Sequence, residues 1–306
     1  MASTRETLGG TGQRGLLWEL HPTDELYPSQ LRKMESPPQT IYGKGDPGVL
    51  NTMCLAVIGA RKATPYGTAV ASMAGRVAAE SGITLVSGGA MGCDAAALRG
   101  ALDAGGKTIV VSGVGADRVY PPSSADVFAR TLERGGAVIA IAPWGAEPQP
   151  WAFPRRNVII AALSTAVLVS EAGARSGTTS TAAAATDLGR EVYAVPGSIF
   201  APESIGANNL IRDGASIVAS ETDLELLISR DFGVLRLLHE EVATPMGRVL
   251  SALRASPIRA DDLANHLGMQ PLELLRILSD YELMGAVVRL PDGRYAPTEQ
   301  TLLGTR

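Results

Sequence analysis

Residues 170–197, SEAGARSGTTSTAAAATDLGREVYAVPG, hold the arrangement in this chain best suited to gripping an anion. An apolar segment (AVLVS) runs into a loop of small residues carrying Arg175, and Ser176-Gly177-Thr178-Thr179 then opens an alanine-rich helix. A strand that ends in such a loop and starts a helix leaves backbone N–H groups converging at the helix N-terminus, where the helix dipole also favours negative charge. Phosphate fits that geometry; simple capping of the helix by hydroxyl residues is the plainer alternative. A second cluster, Phe153-Pro154-Arg155-Arg156-Asn157, places an aromatic ring, two guanidinium groups and an amide at the start of the helix VIIAALS. Arginine forks onto phosphate oxygens and aromatic faces stack on unpaired bases, which points to a single polynucleotide strand. Trp144 and Trp151 could widen the stacking surface. In the plainer alternative Phe153 fills a gap between helices and the arginines form salt bridges, at least one of them facing inward.

These clusters need a frame. From Leu55 onward short, wholly apolar segments (LAVIGA, ITLVSG, TIVVSG, AVIAIA, AVLVSEA, EVYAVPG and SIVAS) alternate with helical stretches expected over residues 65–80, 92–104, 125–134, 155–163, 179–188 and 208–212. Strands apolar on both faces, alternating with helices, imply a parallel sheet covered on both sides. The expected fold class is therefore α/β: an extended Rossmann-like, doubly wound, mostly parallel sheet. Loops leaving the carboxyl ends of such strands share one edge, and ligands bind there. Five loops on that edge are rich in small residues: Gly59-Ala60-Arg61-Lys62, Ser87-Gly88-Gly89-Ala90-Met91-Gly92, Gly113-Val114-Gly115, Pro143-Trp144-Gly145, and the run from Glu171 to Thr179.

The remainder divides simply. Residues 1–26 are polar and glycine-rich and read as a poorly ordered segment; residues 27–46, with their prolines and glycines, read as an extended lead-in. The binding domain is expected over residues 27–230, a linker over 231–243, and a small C-terminal winged-helix domain over 244–306. In that last domain, helices are expected over 245–253, 260–267 and 271–283, followed by a two-stranded wing (AVVRL-PDG-RYAPT) turning at Asp292-Gly293. The helix in the recognition position carries Glu273, Asp280 and Glu282 against Arg276 alone, so repulsion from phosphate favours protein contact over reading of the major groove.

Composition sets outer limits. A chain of 306 residues with 45% hydrophobic and 19% charged residues is soluble and globular. No apolar run reaches membrane-spanning length, and the start MASTRETLGG lacks the features of a signal peptide. Cys54 and Cys93 lie in or beside core segments and read as buried free thiols, which fits a reducing cytoplasm. A net charge of −4 excludes a generally basic coat, so any polyanion must be held by a local patch. The dinucleotide fingerprint fails because Arg118 stands where the third glycine after Gly113-x-Gly115 belongs, and no G-K-[ST] follows any glycine loop. His21, His239 and His266 all fall outside the sheet, which removes histidine-dependent nucleophiles and metal sites from this edge. Glu171 and Asp94 are the carboxylates that remain, each either a general base or a hydrogen-bond partner of a neighbouring loop. No catalytic residue, metal or cofactor is expected.

Several motifs stand in order along the chain: Tyr27-Pro28 with Leu31, Pro38 and Tyr42-x-Lys44-Gly45; Ile58-Gly59-Ala60-Arg61; Ser87-Gly88-Gly89-Ala90-x-Gly92-x-Asp94; Tyr120-Pro121; and Phe153-Pro154-x-Arg156-Asn157. They continue with Glu171-Ala172 and Ser176-Gly177-Thr178, then Val195-Pro196-Gly197, then Gly206-Ala207-Asn208-x-Leu210-Ile211-x-x-Gly214-Ala215. Taken together over residues 27–220, and with the small C-terminal domain, the chain resembles the DprA/Smf family of bacterial DNA-processing proteins. The resemblance implies a cytoplasmic homodimer that binds and protects incoming single-stranded DNA without cutting it. It further implies loading of the RecA recombinase, with single-strand-binding protein as a further partner, during natural transformation. Carried onto this chain, it assigns Arg61 to phosphate contact, Phe153 to base contact, and backbone amides to Gly88, Gly89, Ala90, Ser176 and Gly177. With the charged and polar neighbours, the candidate DNA-binding set is Arg61, Lys62, Ser87, Gly88, Gly89, Ala90, Phe153, Arg155, Arg156, Asn157, Arg175, Ser176 and Gly177.

The chain departs from the family pattern in places. Cys93 and Ala97 replace an isoleucine and a histidine, Val158 replaces a common arginine, and Pro150 stands where a basic residue precedes the aromatic, shifting charge to Arg155 and Arg175. The 26 residues before Tyr27 leave no room for the family's amino-terminal helical module. Two other readings share parts of this pattern: a nucleotide- or nucleoside-phosphate-processing enzyme of the lysine-decarboxylase-like Rossmann class, and a transcriptional regulator whose Rossmann domain senses a metabolite.

Overall fold

The computed structural model describes residues 4–5, 17–174, 176–234, 249–250, 252–253, 256–298 and 301. The chain splits into two compact units, residues 1–236 and 237–306. In the first, the strands are β1 (Thr4–Arg5), β2 (Leu17–Leu20), β3 (Ile41–Gly45), β4 (Cys54–Ile58), β5 (Thr84–Ser87), β6 (Thr108–Val111), β7 (Ala137–Ala140), β8 (Ala166–Val169), β9 (Glu191–Ala194) and β10 (Ser216–Ile217). The helices between them are α1 (Ser29–Arg32), α2 (Pro65–Glu80), α3 (Cys93–Asp103), α4 (Ala125–Glu133), α5 (Ala152–Leu163), α6 (Gly177–Asp187), α7 (Ile205–Arg212) and α8 (Glu221–Phe232).

The strands form one sheet in the order β1-β2-β3-β7-β6-β5-β4-β8-β9-β10. From β7 to β10 every pairing is parallel, while β3 runs antiparallel to β7 and β2 antiparallel to β3. The wholly apolar strands behave as expected of a sheet buried on both faces. Along β4, Leu55 and Val57 face the layer made by α2, α3, α4 and α8, whereas Cys54, Ala56 and Ile58 face the layer made by α1, α5, α6 and α7. The fold is the doubly wound, Rossmann-like sheet the alternation implies. Both thiols are free and buried, and burial pushes each up to about 12.

The lead-in does more than lie against the sheet, since β3 extends it. The expectation of a poorly ordered segment over residues 1–26 is corrected at its end: LWEL is a strand, with Trp18 and Leu20 buried and the Trp18 indole N–H donating to the Gly45 carbonyl at 2.8 Å. Two alternating apolar side chains suffice to seat such a short edge strand. At the other end, Asp231 belongs to α8 rather than to a linker, and its carboxylate accepts a hydrogen bond from the Tyr193 hydroxyl at 2.5 Å.

The second unit contains α9 (Ala260–Leu267), α10 (Pro271–Leu283) and the antiparallel pair β11 (Val287–Arg289) and β12 (Tyr295–Pro297). Its own core includes Leu263, Leu274, Leu278, Val287 and Tyr295. The wing turns at Asp292-Gly293, where Gly293 has φ 85° and the Arg294 amide donates to the Asp292 carboxylate at 3.1 Å. Of the helix expected over residues 245–253, residues 249–250 and 252–253 are described and helical, with Val249 and Leu253 buried in that core; the remainder, and residues 235–243 of the expected linker, lie outside the described residues.

Helices α2 and α3 begin where two of the site loops end, and they pack backbone against backbone. A Cβ on Gly100 would collide with the Ser72 carbonyl, and one on Gly75 with the Ala97 carbonyl. Gly100→Val should therefore cost about 3 kcal/mol, because the clash is with backbone and cannot be relieved by a rotamer change. The denaturant midpoint of the purified variant, at unchanged slope, checks this.

Candidate nucleic-acid interface

Strand order reverses between β4 and β8: chain progression runs outward through β5, β6 and β7 on one side and through β9 and β10 on the other. Loops leaving adjacent strands at such a reversal diverge, which opens a crevice at the carboxyl edge. A cleft of about 640 Å³ lies there. Residues 58–62 after β4, Gly173, Ser176, Gly177 and Thr178 after β8, and Ala90, Asp94, Arg156 and Asn157 all line it. Arg61 also lies 5.2 Å from the centre of the Phe153 ring. The turn before α6 and the arginine–aromatic cluster at the start of α5 thus meet Arg61, far earlier in the chain, at one place.

The members of this site differ sharply in accessibility. Arg61 and Lys62 are exposed at the rim. Arg156 is buried, and its guanidinium occupies the volume a side chain on Gly88 would need. Its Nη1 stands 3.9 Å from the Asp94 carboxylate, and its Nε has no hydrogen-bond partner. Burial pulls the Arg156 guanidinium down from its ordinary value; Asp94 opposes the shift, and nearby Arg61 adds to it. Burial likewise holds the Asp94 carboxyl above the usual carboxylate range, against the pull of Arg156 and of backbone N–H groups. Two guanidiniums that repel each other across a small cleft make a place where an anion is favoured.

The aromatic side is built on another close approach. The Phe153 ring lies on Gly113, where a Cβ would come within 2.7 Å of the ring, and Tyr120 stands 6.0 Å away at a tilt of 44°. Tyr120 is 41% exposed, so the pair offers a partly open stacking surface beside the Arg61 guanidinium. At the first turn of α6, Ser176 caps the helix, its hydroxyl accepting from the Thr178 amide at 3.2 Å. Asn157 donates to the Gly177 carbonyl at 3.3 Å and to the Ser180 hydroxyl at 3.0 Å, tying α5 to the start of α6. The capping reading of this turn holds, and the same turn lines the cleft.

Other expectations are corrected. Ser87 is fully buried and donates to the Val57 carbonyl at 2.7 Å, and Gly89 is buried against Val110 and Phe128. Neither Ser87, Gly88 nor Gly89 offers a surface to a strand: these small residues make room for Arg156 and Phe128. Ala90 alone of that run lines the cleft. Arg155 is exposed and lies 5.7 Å from the Trp151 ring, outside the cleft lining. Trp144 is not a stacking surface, because its indole N–H donates to Glu19 at 2.7 Å and its edge packs on Tyr42. Arg175 lies outside the described residues. Glu171 is buried, with both oxygens engaged by the Thr64 amide and hydroxyl at 2.9 and 2.5 Å, so it clasps the start of α2. Thr181, Pro202 and Glu203 also line the cleft. Thr181 and Pro202 carry no charge, and Glu203 is a lone carboxylate with no motif around it, whereas Tyr120-Pro121 was already conspicuous as a motif.

The comparisons with known proteins converge on one family. The family model described as DNA recombination-mediator protein A matches residues 19–228, and the one described as the DprA winged helix domain matches residues 239–293. The chain belongs to the DprA/Smf family. It is 35% identical to protein Smf of Escherichia coli K12 over 286 residues, covering 90% of this chain and 76% of that one. Among solved structures, DNA processing protein A from Streptococcus pneumoniae superposes with a TM-score of 0.63 at 35% identity, covering 67% of this chain and 72% of that one. DNA processing protein A from Helicobacter pylori, a structure concerned with single-stranded DNA binding, gives a TM-score of 0.62 at 27% identity, covering 75% of this chain and 97% of that one. The small second unit of this DprA/Smf member is thus a winged helix by family as well as by element order. Among the described residues no helix is long and apolar enough to cross a membrane, and no three His, Cys, Asp or Glu side chains are grouped to hold a metal.

Removing one partner of a buried ion pair costs roughly 3–5 kcal/mol, because the other charge is left without compensation. Arg156→Met should fall at the lower end of that range, since the pair is separated by 3.9 Å. The double variant Arg156→Met/Asp94→Asn should recover much of the loss. Urea unfolding of the three proteins gives both figures.

Proposed function

We propose that the cleft and the adjoining aromatic pair bind single-stranded DNA, and that the protein acts on the strand by holding it rather than by breaking bonds. One observation carries this reading: Arg61 joins the Phe153–Tyr120 stacking surface to the cleft at the start of α6, so a phosphate and its neighbouring base can be held side by side. Phosphate binding supplies affinity without sequence preference, and stacking demands bases that are not paired. The carboxylates of the edge support the non-catalytic part. Glu171 clasps Thr64, and Asp94 is buried against Arg156.

Family membership supports the wider role. The strand held here is incoming DNA in natural transformation and recombination, protected in the cytoplasm and handed to the RecA recombinase with single-strand-binding protein as a further partner. Two copies of the chain, working as a homodimer, present two such edges to one strand. An enzyme of the nucleoside-phosphate-processing class would instead release free base from nucleoside monophosphates, and incubation with the pure protein separates the two readings.

Polarisation titrations should show tight, salt-sensitive binding to single strands and much weaker binding to duplex. Phe153→Ala should lose roughly 1–3 kcal/mol of that affinity through stacking. Arg61→Ala should weaken all sequences alike and make the slope of log K against log salt shallower by about 0.7, the value for one single-strand phosphate contact. Equal affinity for duplex and single strand overturns the reading.

A further inference from the structure

A second concavity of about 490 Å³ lies beside the cleft, and Glu203 lines both. Its character differs from that of the cleft. Tyr66, half exposed, Pro196 and Ala201 give it apolar walls, and among the described residues no lysine or arginine lines it. The loop after β9 is held firmly: the Asn208 amide both accepts from the Gly197 N–H and donates to the Gly197 carbonyl, each at 3.0 Å. Tyr66 donates its hydroxyl to the Pro196 carbonyl at 2.9 Å, which fixes the ring against that loop. Beyond Gly197 a turn closes with the Ala201 amide donating to the Ser198 carbonyl at 3.1 Å, and at its tip Phe200 is 89% exposed. A phenyl ring so open to water, on a turn that walls a preformed slot next to a cationic cleft, has no packing role in the first unit.

We propose that this slot receives an unpaired base of the strand whose phosphates occupy the cleft, with Phe200 stacking on it. The inference rests on the single-strand reading above and names what lies alongside the phosphate path. Apolar walls, with no lysine or arginine among the described lining residues, suit a base better than a phosphate. Of the two carboxylates there, Glu171 is engaged by Thr64, while Glu203 has no hydrogen-bond or ion-pair partner among the described residues. A carboxylate only accepts hydrogen bonds, so it favours bases that present an exocyclic amino group. At the 4-position cytosine offers an amino donor where thymine offers a carbonyl oxygen, so with Glu203 meeting that position the slot prefers cytosine to thymine.

The test is a polarisation titration of wild type, Phe200→Ala and Glu203→Gln with oligo-dC and oligo-dT of equal length. Both side chains are exposed, so thermal unfolding of the variants should match wild type. Wild type should prefer oligo-dC. Phe200→Ala should bind about fivefold or more weakly, the equivalent of losing one stacked base. Glu203→Gln should narrow the gap between the two oligonucleotides. Strand binding by wild type with both variants indistinguishable from it overturns the slot and leaves the single-strand reading standing. Failure of wild type to bind either oligonucleotide overturns that reading and the slot with it.

Discussion

The guanidinium of Arg156 fills the space that a side chain on Gly88 would need, and the geometry of the whole edge follows from that contact. The arginine starts on α5, reaches under the loop after β5 and meets Asp94 on the first turn of α3. It thereby ties together three elements that approach the edge from both faces of the sheet. A buried guanidinium is costly, and here only one carboxylate at 3.9 Å compensates it while Nε has no partner. Such incomplete pairing in a stable core makes sense where a further negative group completes it, and the cleft is where such a group would stand.

This arrangement reconciles an acidic chain with a polyanionic ligand. The net charge of −4 is spread over the molecule, whereas Arg61, Lys62 and Arg156 gather at one crevice. A parallel sheet whose order reverses at β4 and β8 creates the crevice whatever side chains line it. The side chains then set its character: cationic and small-residue around Arg61 and the start of α6, aromatic at Phe153 and Tyr120, apolar and acceptor-bearing near Tyr66 and Glu203. Helices α2 and α5 are held to the edge by the Glu171–Thr64 and Asn157–Gly177 contacts, so the loops are set before any ligand arrives.

Much of the frame was legible in residue patterns. The strands LAVIGA, ITLVSG and AVLVSEA could be read because a strand buried on both faces must be apolar throughout, and each of these short runs ends in a loop of small residues. The helices α9 and α10 have the bounds expected from the winged-helix reading. The strand Leu17–Leu20 was missed, since four residues with two buried side chains carry too little signal against a polar, glycine-rich background. Within the site, Arg61, Phe153 and Ser176 were identified from residue type and from family motifs. The glycines of the second motif were read as amide donors, when their lack of a side chain makes room for Arg156 and Phe128.

The sequence by itself determined the class of fold, the small-residue loops at one edge of the sheet, and the residues with chemistry suited to a strand of nucleic acid. Those properties are local: they depend on hydrophobic period, on backbone freedom and on the functional groups present. Only the tertiary structure decided which of those groups are reachable. Whether a guanidinium faces water or a glycine, and whether a tryptophan stacks or donates to a distant glutamate, depends on what the packed sheet brings against it from elsewhere in the chain. Arg155 and Arg156 are adjacent in sequence, yet one is exposed and the other buried, because α5 turns only one of them toward the loop after β5.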